Sequence, residues 1–310
     1  MDYTMWVAIL AAAVTSGTPL LYAALGEVFA ERAGVLNLGV EGMMLVGAVS
    51  GFMVTVATKN PWLGVVAAMA AGGALSLVHA FLSITLRANQ VVSGLALTIF
   101  GTGLSAFVGK TLIGIPSPAT FKALPLPVLS RIPLLGDVLF RQDPLVYLTY
   151  LLVPAAWLIL YRTWAGLNLQ AVGEDPAAAD AVGINVFVTR YLYVVVGGML
   201  AGLGGAYLSL AYAPSWVENM TAGRGWIAVA LVIFATWNPV RAMLGAYLFG
   251  GVDALGFRLQ ALGITIPFYF LKMLPYLFTV AVLIFATRQT RLKRIGAPGA
   301  LGLAYDREER

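Results

Sequence analysis

The sequence predicts an all-α membrane protein, a polytopic bundle of about nine transmembrane helices that forms one domain over residues 1–310. The first observation is composition: 60% of the residues are hydrophobic and only 11% are charged, whereas soluble domains carry about a quarter charged residues. The second is a series of apolar runs of about 20 residues, the length that crosses a bilayer. Because lipid offers no hydrogen-bond partners, these runs must pair their backbone groups internally, which favours helices.

The apolar runs give nine candidate spans. The weakest is Trp226–Trp237, which is short and would have to be tilted, broken or extended by the preceding Thr221–Gly225. The candidate spans are Thr4–Leu25, Val35–Ala57, Trp62–Leu86, Val91–Ile113, Leu145–Tyr161, Val186–Ala213, Trp226–Trp237, Val240–Phe257 and Ile264–Thr287.

The basic residues predict an N-terminus outside and a C-terminus in the cytoplasm. The tail, residues 288–310, places Arg288, Arg291, Lys293 and Arg294 directly after the last span. Counting back through nine spans puts the N-terminus outside. The orientation of the spans therefore explains the net charge of +5. The sequence contains no basic stripe with interleaved aromatics, the pattern that would suggest nucleic-acid binding. The predicted cytoplasmic loops hold Arg32, Arg87, Arg162, Arg190 and Arg241, and the outer loops hold Lys59, Arg224 and Arg258.

Two loops are longer than simple connections. Residues 114–144 form a proline-rich external loop whose apolar run Leu134–Phe140 is expected to pack onto the membrane face. Residues 162–190 form a cytoplasmic loop with a short capped helix: Asp175 suits the N-cap, Pro176 the first helical position and Gly183 the residue after the helix. Its alanines would let a partner approach closely. The alternative is a solvated connector.

Small residues recur at four-residue spacing within the spans. Gly47 and Gly51 form one such pair, and Gly198 and Gly202 form another. This spacing lets two helices approach closely in lipid, and we expect it to serve packing within the bundle.

The sequence offers little catalytic or metal-binding chemistry. It contains no cysteine and one histidine, His79, which excludes a multi-histidine metal site within one chain. His79 could act as a proton relay, but an interhelical hydrogen bond is the favoured interpretation. Gly109-Lys110-Thr111 resembles the end of a phosphate-binding loop, yet Leu104 occupies the position that must be glycine. We therefore expect no ATP site in this chain, with Lys110 anchoring a span at the interface.

Ionisable residues inside apolar spans are candidates for function. Asn37 and Glu41 are four residues apart in a glycine-punctuated stretch, Gly34–Gly42, and would share one face of a broken helix that lines a cavity. Asp253, with Arg258 about a turn further on, is a second candidate. For both residues the alternative is a structural hydrogen bond or ion pair. At Glu41 the structural and functional interpretations are equally supported, and at Asp253 the structural one is favoured.

Four stretches resemble one transporter family. GEVFAERAGVLNLGVEGMMLVGA (Gly26–Ala48) is similar to the N-terminal signature of the permease subunits of ABC importers that include the ribose and branched-chain amino acid systems. Within that family it most resembles the nucleoside (simple-sugar) branch. The stretches Asn89–Ser105, Gly166–Val186 and Gly223–Gly250 agree in order with the same family. Trp237 departs from the pattern, which has a small or basic residue before Asn238-Pro239.

The resemblance implies a multi-pass subunit of the bacterial cell (inner) membrane that is not itself an enzyme. ATP and Mg would be bound by a cytoplasmic ABC ATPase, so this chain would carry no cofactor. A second permease subunit, usually a different chain, and a basic-membrane-protein-type binding lipoprotein would complete the importer. The resemblance assigns ATPase coupling to Gly173, Glu174, Asp175, Pro176, Ala177, Ala178, Ala179, Asp180 and Gly183, with the coupling helix at Pro176–Val182. Candidates for the translocation path are Asn37, Glu41, Asn89 and Ser93.

The expected function is therefore ATP-driven import of nucleosides, with purine nucleosides first, by alternating access. Ribose or another simple sugar is the alternative within the same family. A carrier that works alone and is driven by an ion gradient would need intramembrane carboxylates or histidines, for which Glu41, His79 and Asp253 are the candidates. A membrane-embedded enzyme lacks any catalytic grouping in the sequence.

Overall fold

The computed structural model describes residues 3–261 and 296–307, with a few isolated positions between them. Throughout this part of the chain the regular structure is helical and contains no strand. Six helical segments there are long and apolar enough to cross a membrane, and they coincide with the first six predicted spans. These are Met5–Arg32, Val40–Thr58, Pro61–Thr85, Gln90–Leu112, Pro144–Arg162 and Val186–Tyr212. The predicted span Ile264–Thr287 and the basic tail residues 288–294 lie outside the described residues.

The bounds of the α-helices extend or shorten the predicted spans by a few residues. They are α1 (Tyr3–Arg32), α2 (Val40–Thr58), α3 (Pro61–Ala80), α4 (Gln90–Gly109), α5 (Leu135–Leu139), α6 (Pro144–Arg162), α7 (Trp164–Glu174), α8 (Pro176–Ala181), α9 (Val186–Tyr207), α10 (Arg224–Phe234) and α11 (Pro239–Ala261). One π-helical turn continues α3 over Phe81–Thr85, and another continues α9 over Leu208–Tyr212.

The first two helices divide the chain differently from the prediction. α1 continues to Arg32, the backbone reverses at Gly34 with φ of 83°, and α2 begins only at Val40. We call residues 34–39 the buried connector. Asn37 Oδ1 accepts a hydrogen bond from the Gly39 N–H at 3.0 Å, a local turn that competes with helix formation. Asn37 and Glu41 therefore do not share one helix face, which corrects the prediction.

The weak seventh span is a short helix. α10 has 11 residues and is about 16 Å long, roughly half the hydrocarbon thickness. Gly223, with φ of 84°, forms its N-cap after an irregular turn. α11 covers the eighth predicted span, but it is not among the six helical segments that are long and apolar enough to cross a membrane.

Close contact between glycines holds the centre of the bundle together. A Cβ added at Gly47 in α2 would lie 2.5 Å from the Cα of Gly202 in α9. One added at Gly72 in α3 would lie 2.3 Å from the carbonyl oxygen of Gly198. The spacing of these residues thus serves packing between α2, α3 and α9, as predicted. In contrast, α4 leaves Phe107 81% exposed on the outside of the bundle, as expected for a face in lipid.

The described C-terminal residues lie at the end of the bundle that carries the 162–190 loop. Arg32, the last residue of α1, is within hydrogen-bonding distance of the Gly296 carbonyl, and Arg87, between α3 and α4, forms an ion pair with Asp306. Residues 114–143 cover the opposite end, where the Phe121 N–H donates to the carbonyl of Leu210. The run 134–140 contains α5, whose Val138 is buried.

Candidate functional site

The carboxylate of Glu41 connects the beginnings of two helices. Its Oε1 accepts from the Thr221 hydroxyl at 2.5 Å and from the Gly223 N–H at 2.8 Å. Its Oε2 accepts from the Gly225 N–H at 2.6 Å. Glu41 lies in the first turn of α2, and the three donors lie at the start of α10. The N–H groups at the start of α10 and the positive dipole ends of both helices stabilise this carboxylate. We call Glu41 with residues 221–225 the junction.

The junction depends on direct backbone contact. A Cβ at Gly225 would lie 2.6 Å from the Cα of Glu41, and one at Gly42 would lie 2.5 Å from the carbonyl oxygen of Leu97 in α4. Only glycine leaves room for these approaches. The starts of α2 and α10 therefore meet inside the bundle, beside the middle of α4.

An ion pair joins the junction to α11. The Arg224 guanidinium is 3.1 Å from Asp253 Oδ2 and 5.7 Å from the ring centroid of Tyr212, with the arginine side chain only 16% exposed. Arg224 is thus not a residue of an outer loop, and Asp253 pairs with Arg224 instead of Arg258. The reason is that α10 begins within the bundle, so its first residue comes alongside α11. This geometry supports the structural alternative for Asp253, an ion pair, over a role in transport.

The buried connector is held by polar side chains of its neighbours. Asn37 Nδ2 donates to Glu27 Oε1 at 3.0 Å. The Thr98 hydroxyl donates to the Leu38 carbonyl at 2.8 Å. His79 lies 3.0 Å through Nδ1 from the Ser93 hydroxyl and 3.1 Å through Nε2 from the Leu36 carbonyl. The predicted interhelical hydrogen bond of His79 is confirmed, and non-helical backbone is satisfied inside the bundle as it must be in a membrane.

The four residues predicted for the path do not lie together. Asn37, Glu41 and Ser93 are buried around the connector and the junction. Asn89 is exposed at the end of the bundle, where its side chain accepts from the Val92 N–H at 3.1 Å and caps α4. The position of Asn89 is therefore explained by its role as the N-cap of α4.

A buried contact of Trp237 was missed from the sequence. Its indole N–H donates to Glu31 Oε2 at 2.5 Å, and both side chains are buried. Glu27 and Glu31 are four residues apart on α1. Acidic residues in an apolar run were the sequence signal that could have indicated a buried polar contact here. The unusual residue at position 237 thus fixes the end of α10 against α1.

The short helix in the 162–190 loop has the predicted caps. Asp175 Oδ1 accepts from the Ala178 N–H at 3.0 Å, Pro176 is the first helical residue, and Gly183 has φ of 89°. The helix, α8, ends at Ala181, one residue before the predicted end.

The predicted coupling residues divide into an outward and an inward set. Glu174, Asp175, Ala177, Ala178 and Gly183 are exposed, Pro176 and Asp180 are half-buried, and Gly173 and Ala179 are buried. A Cβ at Gly173 would lie 2.0 Å from the Arg32 carbonyl oxygen. Beside the exposed set, Val182 is 77% exposed and Trp164 is 81% exposed. Small and apolar side chains, with the carboxylates of Glu174 and Asp175, thus form an outward surface at this end.

Comparison with known proteins agrees with this architecture. The family model described as branched-chain amino acid transport system / permease component matches residues 9–287. A putative glucose ABC transporter permease of Haloferax volcanii is 48% identical over 97% of this chain and 98% of the relative. A guanosine ABC transporter permease of Bacillus subtilis is 36% identical over 97% of each chain. A nucleoside ABC transporter permease of Lactococcus lactis subsp. cremoris is 36% identical over 86% of this chain and 88% of the relative.

Proposed function

We propose nucleosides as the substrate of this chain, which belongs to the branched-chain amino acid transport system permease family. The chain is a permease subunit of an ABC importer for sugars or nucleosides, and it is a transport subunit, not an enzyme. It is a multi-pass protein of the cell (inner) membrane. The family implies an ATPase and a substrate-binding protein as partners.

The observation that carries the nucleoside proposal is that two relatives, each matched over most of its length at 36% identity, are named as guanosine and nucleoside permeases. A simple sugar is the second candidate, because the 48% identical relative is named as a putative glucose permease. A nucleoside contains a sugar ring, so both candidates present hydroxyl groups to the path.

The charges at the junction favour an uncharged substrate. Glu41 is occupied by three donors of the chain itself, and Arg224 and Asp253 are paired with each other. An amino acid carries an ammonium and a carboxylate group, and burying either without a partner is costly. These three side chains would have to give up their own partners to bind such groups. Neutral nucleosides and sugars carry no charged group that would need these side chains as partners.

The power for transport would come from the partner ATPase. The outward surface around α8, with Asp175, Ala177, Ala178 and Val182, would dock into a groove of the ATPase as a coupling helix. This end would be cytoplasmic, with the N-terminus outside. A second, different permease chain would complete the path and a binding lipoprotein would deliver substrate from outside. Closure of the ATPase pair on ATP would then tilt the permeases between outward- and inward-facing states.

Uptake by cells tests the substrate. Labelled guanosine, adenosine, uridine, ribose and glucose are supplied to cells with and without this gene, with ATP depletion as the control. Gene-dependent and ATP-dependent uptake of nucleosides supports the proposal. Uptake of a sugar alone moves the chain to the second candidate, and gene-dependent uptake that survives ATP depletion contradicts the ATP-driven mechanism.

A further inference from the structure

Residues 296–307, which we call the strap, cross the end of the bundle that carries α8. The strap contains no regular helix or strand, yet Pro298, Ala300 and Tyr305 are buried. It is therefore packed against the bundle at several points along its length.

One set of contacts joins the strap to the loop that carries α8. The Tyr305 hydroxyl donates to Asp180 Oδ2 at 3.1 Å, and the Arg307 guanidinium lies 2.9 Å from the same oxygen. Burial and the Asp180 carboxylate raise the pKa of the Tyr305 hydroxyl. The Ala300 N–H donates to the Gly173 carbonyl at 2.9 Å, just before α8.

A second set of contacts joins the strap to the buried connector. The Gly302 N–H donates to the Gly34 carbonyl at 3.2 Å. The Leu303 carbonyl accepts from Arg190 Nη1 at 3.2 Å and lies 3.5 Å from Gln90 Nε2. Gln90 in turn accepts from the Leu36 N–H through Oε1 at 2.7 Å. The connector leads directly into α2 and Glu41, so the strap contacts both α8 and the segment before the junction.

We propose that the strap transmits movement of α8 to the buried connector and that Tyr305 is a positioning residue for transport. The inference rests on the proposed function, because it takes α8 as the helix that docks on the ATPase. Asp180 is the contact point on α8. When docking shifts α8, the hydrogen bond between Tyr305 and Asp180 moves the strap with it. The Gly302 and Leu303 contacts then shift the connector, and with it the start of α2.

Hydrogen exchange can measure this communication without choosing a substrate. The assembled membrane complex is compared with and without a non-hydrolysable ATP analogue, and exchange is followed in peptides covering residues 34–41. Tyr305→Phe removes the hydroxyl and keeps the ring that packs 5.9 Å from Phe187. Tyr191→Phe is the matched control, because its hydroxyl bonds Thr85 elsewhere at the same end of the bundle.

The expected result is a nucleotide-dependent change of exchange in residues 34–41 of the wild type and of Tyr191→Phe. In Tyr305→Phe this change should fall about fivefold, the factor that corresponds to one typical hydrogen bond. The assembled complex should still form, since the ring and backbone contacts remain. Tyr305→Ala, which removes the ring as well, should abolish the change.

Each outcome has a distinct meaning. If both Tyr305 variants keep the full nucleotide-dependent change, the strap does not transmit movement and the inference is overturned. If the wild type shows no ATPase bound to the chain, the proposed function fails and the inference falls with it. If Tyr305→Phe and Tyr191→Phe lose the change equally, the effect is a general loosening of this end, which also overturns the role of Tyr305.

Discussion

The backbone N–H of Gly225 donates a 2.6 Å hydrogen bond to Glu41 across 184 residues of sequence. The bond joins the starts of α2 and α10, two helices that begin inside the bundle. Since helices in membranes satisfy their own backbone, a helix that begins inside the bundle needs another group for its first N–H donors. Glu41 supplies that group for α10, so the integrity of the junction should govern both stability and transport.

Replacement of Glu41 by glutamine should weaken the junction. The amide offers one oxygen acceptor where the carboxylate offers two, and its NH₂ group would face an N–H donor. Hydrogen bonds to a charged group contribute about 1.5–3 kcal/mol each, so we expect a lower Tm in detergent and uptake reduced at least about tenfold. Glu218→Gln is the matched control, because Glu218 is exposed three residues before Thr221. Equal behaviour of the two variants would show that Glu41 does not hold the junction.

Addition of a single methyl group at Gly225 should separate α10 from α2. The new Cβ would lie 2.6 Å from the Cα of Glu41, closer than real Cβ contacts allow. Overpacking of this kind costs about 1–3 kcal/mol, so Gly225→Ala should lower the midpoint of thermal unfolding. Gly103→Ala is the control, because a Cβ at that position of α4 meets nothing within 4 Å. There we expect a small stabilisation, because alanine favours helix more than glycine. A Gly225→Ala protein as stable as the control would contradict the close contact.

The ion pair of Arg224 and Asp253 should behave as a coupled unit. Removing one partner leaves the other charge without its counter-ion in a partly buried site, so Arg224→Gln and Asp253→Asn should each destabilise the protein. The double variant should lose less than the sum of the two, with a coupling free energy of about 1 kcal/mol or more. A double-mutant cycle on detergent-solubilised protein measures this quantity. Strict additivity would mean that the two side chains do not interact.

How much the sequence predicted depended on whether the signal was local. Spans, the caps of α8 at Asp175 and Gly183, and the hydrogen-bonded His79 follow from composition and short-range spacing. The glycine-punctuated stretch Gly34–Gly42 predicted a broken helix, but not that α2 would start only at Val40, because no local pattern in the apolar run from Val35 marks that boundary. The pairing of Trp237 with Glu31 spans 206 residues, and no local pattern indicates which distant residues will meet. The partner of Asp253 was sought nearby, at Arg258, for the same reason.

The orientation can be measured because the chain contains no cysteine. Single cysteines can replace Asn168 in α7 and Thr58, the last residue of α2. Both residues are exposed, and they lie at opposite ends of the bundle. An impermeant maleimide should label Thr58→Cys on intact cells and Asn168→Cys only in inverted vesicles. The reverse pattern would place α8 outside the cell, where no ATPase could reach it.

Reconstitution in liposomes distinguishes a subunit of an ATP-driven importer from a carrier that works alone. Liposomes are prepared with this chain alone, and with this chain together with its partner ATPase, second permease and binding protein. Labelled guanosine is supplied on the side of the binding protein, with ATP on the other side. We expect uptake only by the complete complex and only with ATP, and none by the lone chain under a proton or sodium gradient. Gradient-driven uptake by the lone chain would contradict ATP-driven import and identify a carrier that works by itself.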